Sequence, residues 1–169
     1  MSDLTRLDHR LDLTALTCRA VIETPKGRGG KLAYDPVSGA FELKRMLPDG
    51  MSFPLDFGFV PGTRGQDGDP LDILVLGDEP SPVGTQLARL IGVIEAEQTE
   101  DGKTVRNDRI LAVAIVSHLF AKVETVGDLD ADFVKNLTAF GENYDALRGV
   151  RFKVLAVRDG QAAARLIGG

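Results

Sequence analysis

Tryptophan is absent and cysteine occurs once, at Cys18. A single thiol rules out an intramolecular disulfide, so the fold closes by burial alone, which fits a reducing, cytoplasmic setting. Cys18 lies in an apolar stretch and reads as a core filler rather than a nucleophile. Long hydrophobic runs are missing too. The longest, 110–116, is far too short to span a bilayer. The N-terminus carries Asp3 and Asp8 and has no apolar core of the kind a signal peptide needs. A basic excess is the third absence: 20 Lys and Arg face 25 Asp and Glu, a formal net charge of −5. That balance argues against a nucleic-acid backbone as the main partner, while leaving room for a local cationic patch that serves a small anion. There is no repeat, no low-complexity tract and no linker splitting the chain. The length, 169 residues, suits one domain with its own core. Residues 1–16 read as a polar N-terminal arm and 17–169 as a single domain.

Most of the chain reads as strands. Residues 18–23 are strand-like and end at Pro25, and 26–30 form a glycine-rich turn. Residues 31–35 and 40–45 make a hairpin, and further strands fall at 71–76, 86–96, 109–116 and 150–157. One main helix stands out, because Phe133, Leu137, Phe140, Tyr144 and Leu147 recur at intervals of three and four. Asp128 or Asp130 is placed to cap it. Gly141 weakens it by about 1 kcal/mol relative to alanine. A short C-terminal helix covers 161–167. Many short strands with one main helix give an α+β fold class built on a small β-barrel.

The stretch Asp67-Gly68-Asp69-Pro70-Leu71-Asp72 carries the most chemistry. Three carboxylates within six residues repel one another unless a cation sits among them. Magnesium, a hard ion that prefers oxygen ligands and keeps several waters, suits such a set. The spacing also suits a plain solvated acidic turn. A calcium EF-hand does not fit, since its loop needs Gly at position six and usually Glu at position twelve, where this chain has Asp72 and Asp78. Cations supply the other half of a phosphate site. Lys26, Arg28, Lys31 and Arg45 lie around the first hairpin, and Arg64 just precedes the acidic stretch. Lys31 and Arg45 fall at strand positions from which a barrel can present them together.

In order, the chain reads Val21-Ile22-Glu23-Thr24-Pro25, Gly27, Lys31, Arg45, Phe53-Pro54, Phe57-Gly58-Phe59 and the acidic run 67–72. This series resembles the family I inorganic pyrophosphatases, and a weaker likeness continues through Gly92, residues 109–113 and Tyr144. The resemblance implies a five-stranded OB-like barrel with helices packed on it. It also implies magnesium-dependent hydrolysis of pyrophosphate to two phosphates by a metal-activated water, usually in a homo-oligomer. By position it assigns metal ligands to Asp67 and Asp72 and water deprotonation to Asp69. Phosphate binding falls to Lys31, Arg45, Arg109 and Tyr144, and a supporting acidic role to Glu23.

The departures are as informative. Ala33 stands where the family usually has Glu, and Phe53 and Phe57 where it has Tyr. Asp145 stands where it has Lys after the helix tyrosine. In the second metal-binding stretch Asn107 occupies an Asp position and Arg109 a Lys position, and a one-residue shift of register would bring in Asp108 instead. A Phe cannot hydrogen-bond a phosphate oxygen, an amide is a weaker magnesium ligand than a carboxylate, and an inward Asp145 would repel substrate. The expectation is a pyrophosphatase of reduced activity. The alternatives are a hydrolase of another phosphoanhydride or a non-catalytic protein that binds phosphate and metal.

Overall fold

The computed structural model describes residues 2–169. Nine strands and two α-helices follow in order: β1 (Thr17–Thr24), β2 (Gly30–Asp35), β3 (Ala40–Met46), β4 (Asp56–Phe59), β5 (Asp72–Leu76), β6 (Gly84–Glu100), β7 (Lys103–Arg106), β8 (Arg109–Ala114), α1 (Ala131–Leu147), β9 (Arg151–Asp159) and α2 (Gly160–Gly168). Strands β1, β4, β5, β8 and β6 pair in sequence around a ring, and β6 returns to β1, so five strands close a barrel. The β5–β8 pair is parallel, and the other pairs of the ring are antiparallel. The long β6 runs past the ring, where β7 and β9 extend the sheet. The hairpin β2–β3 forms a separate sheet.

Alternation along β8 explains why the apolar run has no polar break over 110–114; the strand expected to reach 116 ends at Ala114, and Ile115 and Val116 are exposed. All six residues of β8 are buried. Ile110, Ala112 and Ala114 belong to the barrel interior with Ala20, Ile22, Ile73, Val75, Leu90 and, from α2, Ala163, Ala164 and Ile167. Leu111 and Val113 face the other way, into a second cluster with Leu74, Leu76, Phe53 and Phe57 and with Leu137 and Tyr144 of α1. A strand buried on both faces reads as continuous hydrophobicity. Each fully buried large apolar side chain contributes about 1.5–3 kcal/mol. Cys18 sits in the interior cluster at 0% exposure, and burial pushes its thiol up to about 12.

Helix α1 starts where Asp130 accepts a hydrogen bond from the backbone N–H of Asp132. Gly141 has a packing reason that its sequence position did not reveal. A Cβ there would lie 3.3 Å from Cε1 of Phe152 and 3.6 Å from Nη1 of Arg109. The helix therefore comes down on both side chains, and the propensity cost of about 1 kcal/mol is the counterpart of that approach.

Two strands escaped the sequence reading. β4 is four residues long and buried throughout, so it shows no alternation, and β7 is short and mostly exposed. The residues before β1 have defined contacts. The backbone of Leu4 donates to the Tyr34 hydroxyl, that of Gly62 to the Thr5 carbonyl and that of Arg19 to the His9 carbonyl. Leu11 and Leu16 pack against the interior cluster.

Candidate active site

The acidic loop is built by its own backbone. Asp67 accepts a hydrogen bond from the N–H of Asp69, the N–H of Gly65 donates to the carbonyl of Asp69, and that of Gly68 to the carbonyl of Gly65. Gly68 takes φ of +90°, a conformation that costs glycine least. Thr63 anchors the loop, donating to the Val60 carbonyl and accepting from the Leu71 N–H. The chain then enters β5 at Asp72, which by alternation shares the outer barrel face with Leu74 and Leu76.

On that face the site residues meet. Asp72 is the register partner of Arg109 across the β5–β8 pair. Burial pushes the Asp72 carboxyl up to about 6, Arg109 and Lys31 pull it back, and Asp67 and Asp69 add to the rise. Glu23 comes from the outer face of β1. Burial lifts its carboxyl to about 7, while the Tyr34 N–H, bonded at 2.7 Å, and Lys31 oppose the lift and Asp72 and Asp69 reinforce it. Asp67 is raised as well, chiefly by burial, with Asp69 adding and Arg109 subtracting. Glu23, Asp67 and Asp72 are thus each raised in part by neighbouring carboxylates, beside Lys31 and Arg109.

The hairpin brings the other cations. Thr24 clamps β2 onto β1, its hydroxyl donating to the Leu32 carbonyl and accepting from the Leu32 N–H. A bulge after Lys31 follows, and Lys31 pairs in register with Arg45. The Lys31 ammonium lies 4.7 Å from the Phe57 ring centroid and 5.4 Å from that of Tyr144, and the Arg45 guanidinium 6.0 Å from that of Tyr144. Phe57 therefore seats a cation with its face, a role that needs no hydroxyl. Phe53 is 2% exposed and packs against Phe57, Phe140 and Tyr144.

Asp145 overturns the expectation that it would repel substrate if it pointed inward. It is fully buried, its Oδ2 3.9 Å from Nη2 of Arg109 and its Oδ1 3.4 Å from Nη1 of Arg148. Burial raises its carboxyl, and Arg109, Arg148 and Lys31 counter that. It is a counter-ion beneath the cations. Among the described residues, Nη1 of Arg109, the hydroxyl of Tyr144 and Oδ2 of Asp145 are buried without a hydrogen-bond partner. Two of the three are donors beside the aspartate face, and donors left in that state suit a ligand that brings oxygen acceptors.

Asn107 and Asp108 take different partners. Asp108 accepts from the Ala96 N–H at 3.0 Å and from Nε and Nη2 of Arg106, which also bridges to Glu95. Asp108, Arg106, Glu95 and Arg158, itself paired with Glu95, line a cleft of about 550 Å³ that Asp67 and Asn107 line as well. Asp108 is thus ion-paired with Arg106 on a cleft wall it shares with Asp67. Asn107 lines the same cleft, its amide donating to the Gln98 side chain at 2.6 Å. Sequence reasoning passed over Arg148, an isolated surface charge whose proximity to Tyr144 only the helix end reveals. It also passed over Asp56, 1% exposed, which accepts from the N–H groups of Lys26 and Ser81 and so ties down the turn ahead of β2.

The donor set is all hard oxygen, which fits a magnesium-type ion that retains waters. Among the described residues no three acidic, His or Cys side chains are drawn close enough to form a ligand group on their own. No helix among them is long and apolar enough to cross a membrane.

A family model described as inorganic pyrophosphatase matches residues 20–168. The chain is 35% identical over 147 residues to the inorganic pyrophosphatase of Thermus thermophilus, covering 85% of this chain and 82% of that protein. It is 33% identical over 158 residues to that of Methanosarcina acetivorans, covering 93% and 92%. The crystal structure of the Thermus thermophilus inorganic pyrophosphatase superposes with a TM-score of 0.88 at 32% identity, covering 99% of this chain and 95% of that one. An inorganic pyrophosphatase structure from Helicobacter pylori gives 0.85 at 28% identity, covering 96% and 94%.

Proposed function

The chain belongs to the inorganic pyrophosphatase family, and from that premise we propose how its residues divide the work of hydrolysing pyrophosphate to two phosphates. The observation that carries the proposal is the register pairing of Asp72 with Arg109 on the outer barrel face, within electrostatic reach of Glu23, Asp67, Asp69 and Lys31. Asp67 and Asp72 would hold magnesium, with Asn107 a neutral oxygen ligand at the edge of the set. Bound divalent ions lower the pKa of a coordinated water and neutralise phosphoryl oxygens.

Asp69, exposed at the tip of the loop, takes the proton of the attacking water. The water oxygen forms a bond to one phosphorus, the bridging P–O bond breaks, and the leaving phosphate carries away the bridging oxygen. Lys31, Arg45 and Arg109 bind the phosphoryl oxygens and stabilise the charge that gathers on the leaving group. The Tyr144 hydroxyl, which lacks an internal partner, is free to donate to one of them. Glu23 holds the β2 backbone through the Tyr34 N–H and attracts the Lys31 charge.

We further propose that residues 17–169 act as one domain with 1–16 as its arm, and that the protein works in the cytoplasm as a homo-oligomer. The exposed Leu155 and Val157 on β9 offer a surface for a second copy. Phosphate release from pyrophosphate, measured across a range of magnesium with Asp69→Asn as control, tests the activity. Release no greater than that of the control would overturn it. Light scattering on the purified protein tests the oligomer, which a monomer mass would sink.

A further inference from the structure

A cleft of about 340 Å³ lies between the end of β3 and the last turn of α1, lined among others by Arg45, Pro48, Tyr144, Leu147 and Arg148. Its two guanidinium groups share one aromatic ring. Cζ of Arg45 is 6.0 Å and Cζ of Arg148 is 5.8 Å from the centroid of Tyr144, and the Lys31 ammonium is 5.4 Å from the same point. Of these three cations only Arg148 is ion-paired among the described residues, and its carboxylate, Asp145, is shared with Arg109. Arg45 has no carboxylate partner among the described residues. Like charges gathered at the wall of a cleft favour an anion inside it.

Arg148 is also held in place. It follows Asp145 by three residues at the helix end, so both lie on one side of the last turn. Its side chain stays 31% exposed while the carboxylate that tethers it is 0% exposed. A guanidinium anchored from behind and open in front presents a preorganised fork to a phosphoryl group.

We infer that Arg148 is a substrate-binding residue. With Arg45 it seats one phosphoryl end of the diphosphate, and Asp145 is the positioning residue that aims it. The inference rests on the pyrophosphate reading for the identity of the anion. The test pairs steady-state kinetics on pyrophosphate with calorimetric binding of imidodiphosphate, the analogue with a bridging NH, both in magnesium. Arg148→Ala removes charge-assisted hydrogen bonds, so KM and the analogue's Kd should each rise roughly tenfold while kcat stays within about twofold. Arg148→Lys should recover part of the loss, and Lys122→Ala, an exposed charge outside the cleft, should change nothing. Asp145→Asn should raise both constants several-fold. Should that buried variant fail to fold, the exposed Arg148 pair still decides the matter. KM and Kd within about twofold of wild type for Arg148→Ala, or a fall in kcat with both constants unmoved, overturns the inference. A wild type that binds the analogue through Arg148 yet releases no phosphate from pyrophosphate overturns the functional reading instead and leaves the anion seat standing.

Discussion

Asp72 and Arg109 stand side by side across the parallel β5–β8 pair, a carboxylate and a guanidinium fixed as register neighbours on the outer barrel face. The pairing puts the proposed metal ligand and a proposed phosphate ligand within one strand spacing, so the two kinds of binding would adjoin while using different side chains.

The division can be separated by mutation. Asp72→Asn should weaken magnesium or manganese binding by about tenfold or more, because a full opposing charge is replaced by a dipole, and the rate should fall with it. Arg45→Ala should weaken phosphate binding and leave the metal affinity of the substrate-free protein nearly unchanged. Calorimetric metal titration of both variants is the check, and equal losses in the two would refute the division.

Asn107 and Asp108 give opposite expectations. Two unit charges about 4 Å apart at an effective dielectric near 20 interact by roughly 4 kcal/mol, and even a quarter of that alters affinity several-fold. Asn107→Asp should therefore lower the magnesium needed for half-maximal activity several-fold. Asp108→Asn should leave that requirement where it is. It should cost about 1–3 kcal/mol of stability instead, since Arg106 and the Ala96 N–H lose their charged acceptor. A magnesium response to Asp108→Asn, with none to Asn107→Asp, would reverse the assignment.

Gly58 is the tightest point of the barrel wall near the site. A Cβ there would sit 1.9 Å from the carbonyl oxygen of Val21 on the paired strand β1. Backbone cannot step aside as a flexible side chain can. Gly58→Ala should thus cost about 3 kcal/mol or more, read as a lowered denaturation midpoint or as loss of soluble protein. A midpoint equal to wild type would show that the strands part more easily than this spacing allows.

Asp78 supplies a pH-dependent test away from the site. The Ser117 hydroxyl, then the backbone N–H of His118 and also that of Leu119, hold its carboxyl below the usual 3.8. A depressed folded value means that the group adds stability above its unfolded value and loses it as pH falls through the folded one. Asp78→Asn should lower the melting temperature near neutral pH, and the gap to wild type should shrink as pH drops below about 4. A gap that holds steady into strong acid would exclude the ionised carboxylate as its source.

Much of this protein was legible in one dimension. Asp67, Asp69 and Asp72 announce themselves because three carboxylates and a Gly68 turn are contiguous, and a local turn needs only its own residues. The β2–β3 hairpin and α1 are likewise written in short-range patterns, and a barrel with two helices followed from them. Which way a side chain faces is a different kind of fact. Asp108 and Asn107 are adjacent, and only the pairing of this stretch with β6 sends one side chain to Arg106 and the other to Gln98. Asp145 looked like a charge that would oppose substrate, and its placement against Arg109 was decided by the packing of α1 over β8, a strand more than 30 residues earlier in the chain. Local chemistry fixed which groups are available. The closure of the ring, through strand pairs whose partners lie tens of residues apart, decided which of them meet.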